Sequence, residues 1–319
     1  MDALSDVLRV VGLTGGVFLD AEFTEPWSVA GKVAPEMCRP FMVQPERVVC
    51  FHYVSEGACR IRLEDGAEAE VRAGQVVMLP RNDLHVLSGG ARTVTVHAGE
   101  LVQAPGTLGV GRINHGGGGA RTRMVCGFLG GGLKHHPLLD NLPPLMIVDL
   151  ASLAVGDWMG RTFSYAAQTL AEGDPGAATV LAKLSELLFV EAVRRYVAAL
   201  PPERTGWLAA LRDLAVGRAM ALMHGQVDRD WTTEALAREA HLSRSAFAER
   251  FTGLIGVPPM RYLLNWRMLL ARQKLQDTRQ SVAQIAFAVG YESEAAFSRA
   301  FHREVGQPPA TWRRGAEGR

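Results

Sequence analysis

The sequence has little cysteine and no long apolar run, which argues against a disulfide-stabilised protein and against a membrane-spanning one. Its 319 residues include only four cysteines: Cys38, Cys50, Cys59 and Cys126. Four are too few for a disulfide scaffold in a chain of this length. Acidic residues near the start and the lack of an uncharged apolar stretch argue against a signal peptide and a membrane span. We therefore expect a cytoplasmic protein with reduced thiols and no membrane partner.

Net charge is also small, at +1, but the positive charge is unevenly distributed. From Trp207 to the C-terminus there are 16 Lys and Arg against 11 Asp and Glu, whereas the first 206 residues hold 18 against 22. An excess of positive charge in the C-terminal part has the sign that nucleic-acid binding requires. With 48% hydrophobic residues, the chain is long enough for two or three folded units with their own cores.

What the sequence does contain is a repeat. Residues 236 to 259 read LAREAHLSRSAFAERFTGLIGVPP, and residues 285 to 309 read IAFAVGYESEAAFSRAFHREVGQPP. A displacement of 50 residues aligns Ser243 with Ser293, Phe247 with Phe297, Phe251 with Phe301, Gly256 with Gly306, and Pro258 and Pro259 with Pro308 and Pro309. Agreement at this level indicates a duplicated supersecondary unit.

Each copy predicts two helices joined by a tight turn. Serine is a favourable N-cap for the second helix, and phenylalanines four residues apart give that helix one apolar face. The opposite face is polar or small in both copies: Arg244, Ser245, Ala248 and Glu249, then Glu294, Ala295, Ser298, Arg299 and His302. A polar second helix after a tight turn is typical of the helix-turn-helix arrangement that enters a major groove of DNA.

The residues around the repeat predict further helices. Residues 260 to 276 form a long connecting helix with apolar side chains toward both sides, which would hold the two copies at a fixed separation. Two recognition helices could then enter successive major grooves roughly 34 Å apart. Before the repeat, residues 208 to 224 predict one helix, and Thr232 is the expected N-cap of the next.

The N-terminal part has a different pattern. A short helix is expected within residues 1 to 16, ended by Gly15 and Gly16. Alternating apolar residues then predict half-buried strands at 60 to 65, 70 to 80, 92 to 99 and 122 to 128, as in a sandwich or barrel. The glycine-rich stretch 105 to 132 is interpreted mainly as a surface loop, with a weaker alternative of an anion-binding turn.

The middle of the chain predicts helices that could pair subunits. Residues 136 to 145 read as an extended connector, followed by helices at 149 to 171 and 177 to 200. The second helix is apolar over more than half of its circumference and so must bury two sides. Its second side could contact another subunit or the core of the same chain. A linker, PPERTG at 201 to 206, marks a domain boundary.

The C-terminal part resembles the AraC/XylS family of bacterial transcriptional regulators. The resemblance rests on PP-x2-YL-x2-WRM-x2-A in the connecting helix, on IA-x3-GYESEAAFSRAFHREVG, and on the closing P-x2-WR. The N-terminal part is similar to the cupin-type sensor of one branch of that family, through HYVSEG, GQVVMLPRNDLH, VCG around residue 126, HPLL and LLFVEAVRRY.

The resemblance implies an α+β fold class with three regions. An N-terminal cupin-like β-barrel that senses an effector would span residues 1 to 145, and a helical dimerisation segment residues 146 to 206. An all-α DNA-binding domain with two helix-turn-helix motifs would span residues 207 to 319.

The cupin motifs raise the question of a metal site. GQVVMLPRNDLH is similar to the second cupin motif, with Asn82 where a glycine is usual and His85 at the histidine position. The usual three histidines and one glutamate are absent, since the strict register places Gln44, Glu46 and Cys50 at the positions of the first motif. A looser register brings in the pair Cys50 and His52, because residues i and i+2 of a strand face the same way.

The candidates for effector binding or redox sensing are therefore Cys50, His52, His85 and Cys126. Zinc is the metal such ligands favour, and buried packing roles are the alternative. A redox-sensing Cys126 would need its pKa lowered by nearby positive charge such as Arg121 or Arg123, whereas a buried thiol would be inert. No cofactor is certain, and a small-molecule effector and zinc remain possibilities.

The family resemblance also implies that the polar faces of the two recognition helices contact bases. Arg244 and Arg299 are suited to bidentate contact with guanine, and Glu249 and Glu294 to accepting from cytosine. Alanines at 248 and 295 offer only apolar contact to thymine methyl groups, and Ser245 and Ser298 small polar contacts. His302 and Arg303 are expected to contact phosphate or solvent.

Together these features predict a regulator, not an enzyme, in the bacterial cytoplasm and associated with the nucleoid. The cupin-like domain would sense a small molecule or an oxidant and control promoter binding. Expected partners are double-stranded promoter DNA, the effector, a second copy in a homodimer and, if it is an activator, RNA polymerase. Alternatives are a thiol-dependent or zinc-dependent redox regulator and a cupin enzyme tethered to DNA.

Overall fold

The computed structural model describes residues 3–38, 45–103, 111–131, 136–150, 156–201 and 205–317. The chain divides into two compact units. We call Leu13–Lys134 with Leu142–Ala192 the sheet unit, and Met1–Gly12 with His135–Asn141 and Val193–Arg319 the helical unit. No helix among the described residues is both long and apolar enough to cross a membrane.

The sheet unit contains eleven strands among its described residues. They are β1 (Thr14–Thr24), β2 (Trp27–Gly31), β3 (Arg47–Glu56), β4 (Ala58–Leu63), β5 (Glu68–Arg72), β6 (Gln75–Leu79), β7 (His85–Gly89), β8 (Val96–His97), β9 (Gly111–Gly116), β10 (Arg121–Gly131) and β11 (Met146–Asp149). Burial alternates along β4, where Cys59, Ile61 and Leu63 are buried and Arg60 and Arg62 are exposed. Because successive side chains of a strand point to opposite faces, apolar residues at every second position give a half-buried strand.

These strands form two sheets. One has the order β11-β6-β3-β10-β1-β9 and the other β5-β4-β7-β2-β8. The α+β fold class is confirmed, but the described strands do not close into the expected barrel, because β1 and β2 belong to separate sheets. Side chains from both sheets meet in one core, which includes all four cysteines.

Helices complete both units. The chain contains α1 (Ala3–Val11), α2 (Ala98–Leu101), α3 (Pro137–Asn141), α4 (Gly156–Glu172), α5 (Ala177–Ala199), α6 (Trp207–Ala210), α7 (Leu214–Gly225), α8 (Thr233–Glu239), α9 (Arg244–Ile255), α10 (Pro259–Asp277), α11 (Val282–Ala288), α12 (Glu294–Val305) and α13 (Pro309–Glu317). A short 3-10 helix spans Pro35–Cys38. In the helical unit α1 packs on α7 and α3 on α6.

The expected N-terminal helix is present but ends earlier than predicted. It stops at Val11, before Gly12 in a left-handed conformation with φ of 54°, and Gly15 and Gly16 lie inside β1. Glycine is required at position 15 because a Cβ there would lie 2.4 Å from the backbone oxygen of Ala182 in α5. Gly15 therefore allows α5 to pack closely on β1, and neither glycine ends a helix.

Three further expectations for local structure are wrong. Residues 92 to 99 contain only the short β8, and residues 136 to 145 include α3, whose first residue is Pro137. Proline suits the first turn of a helix, where its missing N–H is not needed. The single helix expected at 208 to 224 is two helices, because Asp213 caps α7 by accepting from Ala215 N and Val216 N at 3.1 and 2.9 Å.

The glycine-rich stretch is mostly sheet and not surface loop. It supplies β9 and β10, and a turn of glycines lies between them. A Cβ at Gly116 would lie 1.8 Å from Thr24 O, and one at Gly117 would lie 2.5 Å from Pro26 Cδ. These glycines therefore permit close contact with the end of β1. Within the same stretch, residues 105–110 and 132 lie outside the described residues.

The predicted middle helices are present as α4 and α5. In α5, Leu181, Leu188 and Val193 are buried within the chain, whereas Val180 and Leu187 are 47% and 43% exposed. One side of the helix is therefore covered and the other retains an apolar strip. The expected linker includes residues 202–204, which lie outside the described residues. The predicted division into three domains, with boundaries after residues 145 and 206, stays a prediction.

Candidate recognition helices and a buried cysteine and histidine cluster

The first helix-turn-helix consists of α8 and α9. The Thr232 hydroxyl accepts from Ala235 N at 3.1 Å, and the Ser243 hydroxyl accepts from Ala246 N at 3.2 Å. These caps satisfy amides that the first turn of each helix leaves without a partner. Phe247 and Phe251 are fully buried with ring centroids 5.6 Å apart. The apolar face predicted from their spacing is confirmed.

The second helix-turn-helix consists of α11 and α12 and uses the same physical devices. Ser281 and Gln284 form a reciprocal capping box at the start of α11. The Ser293 hydroxyl accepts from Ala296 N at 3.2 Å. Phe297 and Phe301 are fully buried with centroids 5.5 Å apart, as in the first copy.

The two turns differ by one residue. The second helices are related by 50 positions, but the first helices are related by 49, since Thr232 corresponds to Ser281. Each turn has one left-handed residue, which is His241 with φ of 57° in the first copy and Gly290 with φ of 81° in the second. The second copy therefore reaches its recognition helix through a turn that is one residue longer.

The candidate DNA-contacting residues lie on the open faces of α9 and α12. The exposed ones are Arg244, Ser245, Glu249, Glu294, Ala295, Arg299, His302 and Arg303, and the half-buried ones are Ala248 and Ser298. Glu304 holds two neighbouring arginines, with Arg303 Nε at 3.1 Å and Arg261 Nη2 at 2.7 Å. Whether these ten residues contact DNA stays a prediction.

The connecting helix α10 packs against both helix-turn-helix units. Its Tyr262, Leu263, Trp266, Met268 and Leu269 are buried, and the helix contacts α9, α11 and α12. The prediction of a connector that is apolar on both sides is therefore confirmed.

Two polar anchors in the helical unit were not apparent from the sequence. Arg267 of α10 donates to Val227 O at 3.0 Å and to Arg229 O at 2.9 Å. Arg250 of α9 binds Asp213 at 2.6 Å. Burial favours a higher pKa for Asp213, but the hydrogen bonds from Arg250 and from the α7 amides outweigh it and lower the pKa. Arg250 is therefore engaged within the protein.

The helical unit also buries a histidine that sequence reasoning missed. His224 of α7 lies 2.8 Å from the Tyr262 hydroxyl, and its ring stacks on Trp266 at 3.9 Å. Trp207 Nε1 donates to the same hydroxyl at 3.1 Å. Beside them is a cavity of about 400 Å³ that His136, Trp207 and Tyr262 help to line. Desolvation lowers the pKa of His224 to about 3.

In the sheet unit, the four candidate sensor residues come together. Cys50 and His52 are two residues apart on β3, so their side chains lie on the same face of the strand. Cys126 of β10 pairs with His52 across the sheet, and His85 is the first residue of β7 in the other sheet. His52 Nε2 lies 3.5 Å from Cys50 Sγ and 2.8 Å from His85 Nε2, and His52 Nδ1 lies 2.8 Å from Cys126 Sγ. We call these four residues the Cys-His cluster.

Hydrogen bonding assigns the protons in this cluster. His85 Nδ1 lies 2.9 Å from Asp83 O, which only accepts, so Nδ1 carries the proton and Nε2 of His85 is bare. His52 Nε2 must then donate to His85, and its own Nδ1 accepts from the Cys126 thiol. The neutral cluster forms a continuous chain from Cys126 through His52 and His85 to the Asp83 carbonyl.

The electrostatics of the cluster favour neutral groups. Burial raises the pKa of the Cys50 and Cys126 thiols and lowers that of His52 and His85. The Arg121 and Arg123 side chains lie 3.3 Å from Glu22 carboxylate oxygens. The lowered pKa that a redox-sensing Cys126 requires is thus the opposite of what its surroundings produce.

Asn82 accounts for the departure from the second cupin motif. Its backbone is left-handed, with φ of 52°, which explains why a glycine would suit this position. The buried side chain accepts from Val33 N at 3.1 Å and donates to Val33 O at 2.7 Å. Asparagine thus keeps the turn before β7 and fixes the segment that leads to His85.

The chain matches two family models. A cupin model matches residues 2–198, and a helix-turn-helix domain model matches residues 236–315. The first covers more than half of the chain and includes the whole Cys-His cluster. The second covers α11, α12 and most of the first helix-turn-helix.

Curated proteins that are similar to the chain include three regulators. The HTH-type transcriptional regulator AlkR of Acinetobacter baylyi is 27% identical over 98% of this chain and 99% of its own length. A putative AraC-like transcription regulator of Streptomyces lividans is 33% identical over 84% and 87%. The RCS-specific HTH-type transcriptional activator RclR of Escherichia coli is 27% identical over 98% and 97%.

Proposed function

The chain belongs to the AraC-like transcription regulators that carry an N-terminal cupin domain, and from this premise we propose that α9 and α12 are its two DNA-reading helices. A DNA-binding regulator with a ligand-sensing N-terminal domain is what the family model and the relatives establish. The finer proposal assigns promoter contacts to particular side chains, since each of the two helices presents an open polar face at its N-terminal half.

The observation that carries the proposal is the duplicated geometry. Both helices start at a serine N-cap, bury two phenylalanines and end at a left-handed glycine, Gly256 or Gly306. Both also pack on α10. Two equivalent helices on one rigid connector can enter successive major grooves of one duplex, about 34 Å apart.

Different side chains have different proposed roles. Arg244 and Arg299 are exposed and no ion pair holds them in the described structure, so each can make a bidentate contact with guanine. Arg303 is held by Glu304 at the C-terminal end of α12, which suits a phosphate contact better than base reading. Glu249 and Glu294 can accept from cytosine, and their charge disfavours nearby phosphate.

The test compares three arginine variants on one promoter. Arg299→Ala should weaken binding by roughly 10 to 100 fold and relax the sequence preference at one base pair. Arg303→Ala should weaken binding to all sequences alike. The slope of log affinity against log salt concentration should fall by about 1, as expected when one phosphate contact is lost. Arg72→Ala, on an exposed arginine of β5 paired with Glu70, is the matched control and should change neither property.

Affinity and footprinting at two salt concentrations measure these effects. Unchanged affinity and sequence preference in Arg299→Ala, with the fold intact by circular dichroism, would contradict the assignment of α12. A loss confined to Arg72→Ala would place the DNA contact in the sheet unit instead.

We further propose that the cupin domain transmits effector binding to the promoter through a homodimer, with RNA polymerase as the partner if the protein activates. The exposed apolar strip on α5 supports a subunit contact. The relatives are named as regulators and not as enzymes, which supports the same role for this chain. The proposed place of action is promoter DNA in the bacterial nucleoid.

A further inference from the structure

The Cys-His cluster has the composition and spacing of a metal site. One ligand atom each from Cys50, His52 and His85 lies within 4.8 Å of the other two, and all three residues are buried. His52 Nε2 is 3.5 Å from Cys50 Sγ and 2.8 Å from His85 Nε2. Thiolate and imidazole are the ligands that zinc prefers. We propose that these three atoms bind one zinc-class divalent ion, which would link the sheet containing β3 to the sheet containing β7.

Distances decide how far the cluster must adjust. A tetrahedral zinc ion with ordinary bond lengths sets nitrogen and sulfur about 3.5 Å apart and two nitrogens about 3.3 Å apart. The distance from Cys50 Sγ to His52 Nε2 is already 3.5 Å, whereas the two histidine nitrogens are 2.8 Å apart. Binding therefore requires the imidazoles to separate by about half an ångström. The ligand atoms of Cys50 and His85, which lie within 4.8 Å of each other, must come to about 3.5 Å.

The surrounding hydrogen bonds are those that metal-binding histidines use. His85 already presents bare Nε2 because its Nδ1–H donates to Asp83 O. His52 needs only to carry its proton on Nδ1, where Cys126 Sγ at 2.8 Å can accept it. Such second partners orient the imidazole ring and increase its basicity. Cys126 is then a positioning residue and not a ligand.

Charge and proton balance are consistent with this site. The Cys50 thiol releases one proton to solvent when its sulfur binds the ion, and the two imidazoles stay neutral. Three protein ligands leave one tetrahedral position for a small exogenous ligand such as water. In the metal-free protein the hydrogen-bond chain satisfies the same buried nitrogens, so the fold does not require the ion.

Cobalt(II) provides the direct probe, because its spectrum reports ligand type and geometry. Full-length protein is stripped with a chelator and titrated with cobalt(II) alone, in the absence of DNA. We expect uptake of one equivalent, visible bands of four-coordinate cobalt, a near-ultraviolet band from thiolate-to-cobalt charge transfer, and loss of all of them on adding zinc.

Variants separate the roles of the cysteines. Cys50→Ala should remove the charge-transfer band. Cys126→Ala should keep it while lowering the affinity about 10 to 100 fold. Cys59→Ala is the matched control, since Cys59 is a buried free cysteine of the same core and should leave spectrum and affinity unchanged.

X-ray absorption of zinc-loaded wild-type protein measures the ligand atoms and their distances directly, so it tests the site even if a variant does not fold. One sulfur near 2.3 Å and two nitrogens near 2.0 to 2.1 Å are expected. A shell of oxygen only, no uptake at one equivalent, or a charge-transfer band that survives in folded Cys50→Ala would overturn the proposal. None of these measurements involves DNA, so such a result leaves the assignment of α9 and α12 unaffected.

Discussion

At the scale of single residues, His224 couples the stability of the helical unit to pH. Its folded-state pKa of about 3 is below its ordinary 6.5, mainly because burial disfavours the charged ring. The Tyr262 hydroxyl accepts from Trp207 Nε1 at 3.1 Å and lies 2.8 Å from His224 Nε2. A proton on His224 would place a charge among the buried side chains of Trp266, His136 and Tyr262.

This arrangement predicts acid sensitivity. The unfolded chain binds a proton at His224 below pH 6.5 and the folded chain does not, so the contribution is complete above pH 6.5 and declines as pH falls toward 3. Between pH 7 and pH 5 the loss should be about 2 kcal/mol in the free energy of unfolding. Urea denaturation of wild type and His224→Gln measures it, and the variant should lose less stability over this range. Equal pH dependence of the two proteins would contradict the prediction.

The members of the Cys-His cluster could be predicted from the sequence only in part. The pairing of Cys50 with His52 follows from alternation along a strand, and His85 follows from its motif. Cys126 was predicted as a candidate of the same set, but not its position opposite His52, because that position depends on a long-range register that no local pattern encodes. Likewise, Asn82 appeared as a departure from a motif until its two hydrogen bonds to Val33 explained it.

At the scale of elements, the two helix-turn-helix units show which boundaries local sequence can determine. Serine caps and paired phenylalanines predicted α9 and α12, and both helices begin directly after the predicted serine. The break between α6 and α7 was missed because Asp213 lies within a continuous apolar pattern. From the sequence alone, an aspartate that caps a helix cannot be distinguished from an aspartate on the surface, because the amides it accepts from are not known.

The two turns should respond oppositely to substitution. Gly290→Ala forces a side chain into a left-handed conformation, where its Cβ would meet Arg267 Nη2 at 2.5 Å and Val227 O at 2.9 Å. We expect a loss of about 1 to 3 kcal/mol in unfolding free energy. The matched variant His241→Gly relieves the same conformation in the first turn and should be neutral or up to about 1 kcal/mol more stable.

Chemical denaturation of both variants, monitored by tryptophan fluorescence, gives the comparison. DNA affinity provides a second readout, since the Gly290 variant should also displace α12. A Gly290→Ala protein as stable as wild type, or destabilisation of equal size in both variants, would show that backbone conformation does not limit these turns.

At the scale of the whole molecule, the helical unit draws on three separate parts of the chain. Val7 of α1 is completely buried, and α1 packs on α7, although more than 200 residues separate them in sequence. The sequence predicted α1 from its helical spacing but not its partner, because an amphipathic pattern shows that one face is buried and not against what.

Val7→Ala should therefore weaken the half of the protein that carries α9 and α12. Removing two buried methyl groups should cost about 2 kcal/mol. Hydrogen exchange should show faster opening of α7, with β1 to β11 unchanged. Val17→Ala, an equally buried valine of β1, is the matched control and should have the reverse pattern. Faster exchange in the strands of the Val7 variant would contradict the predicted packing.

Subunit association is the second prediction at this scale. Leu187 and Val180 form the exposed apolar strip of α5. Leu187→Glu should lower the dimer fraction at least tenfold in sedimentation equilibrium, because a charge would be buried in the contact. Arg72→Glu, on the exposed surface of β5, serves as the control. A wild-type protein that sediments as a monomer at all concentrations, or a variant that dimerises equally well, would refute a contact through this strip.

The separation between α1 and α7 has a consequence during synthesis on the ribosome. Translation produces α1 before α7, so the surface that covers Val7 emerges roughly 200 codons after it, once the strands of the sheet unit have been released. The growing chain therefore carries an uncovered amphipathic helix while the sheet unit is synthesised, and the segment from Leu13 onward can already collapse. We expect the helical unit to complete its folding only after α7 has emerged from the exit tunnel.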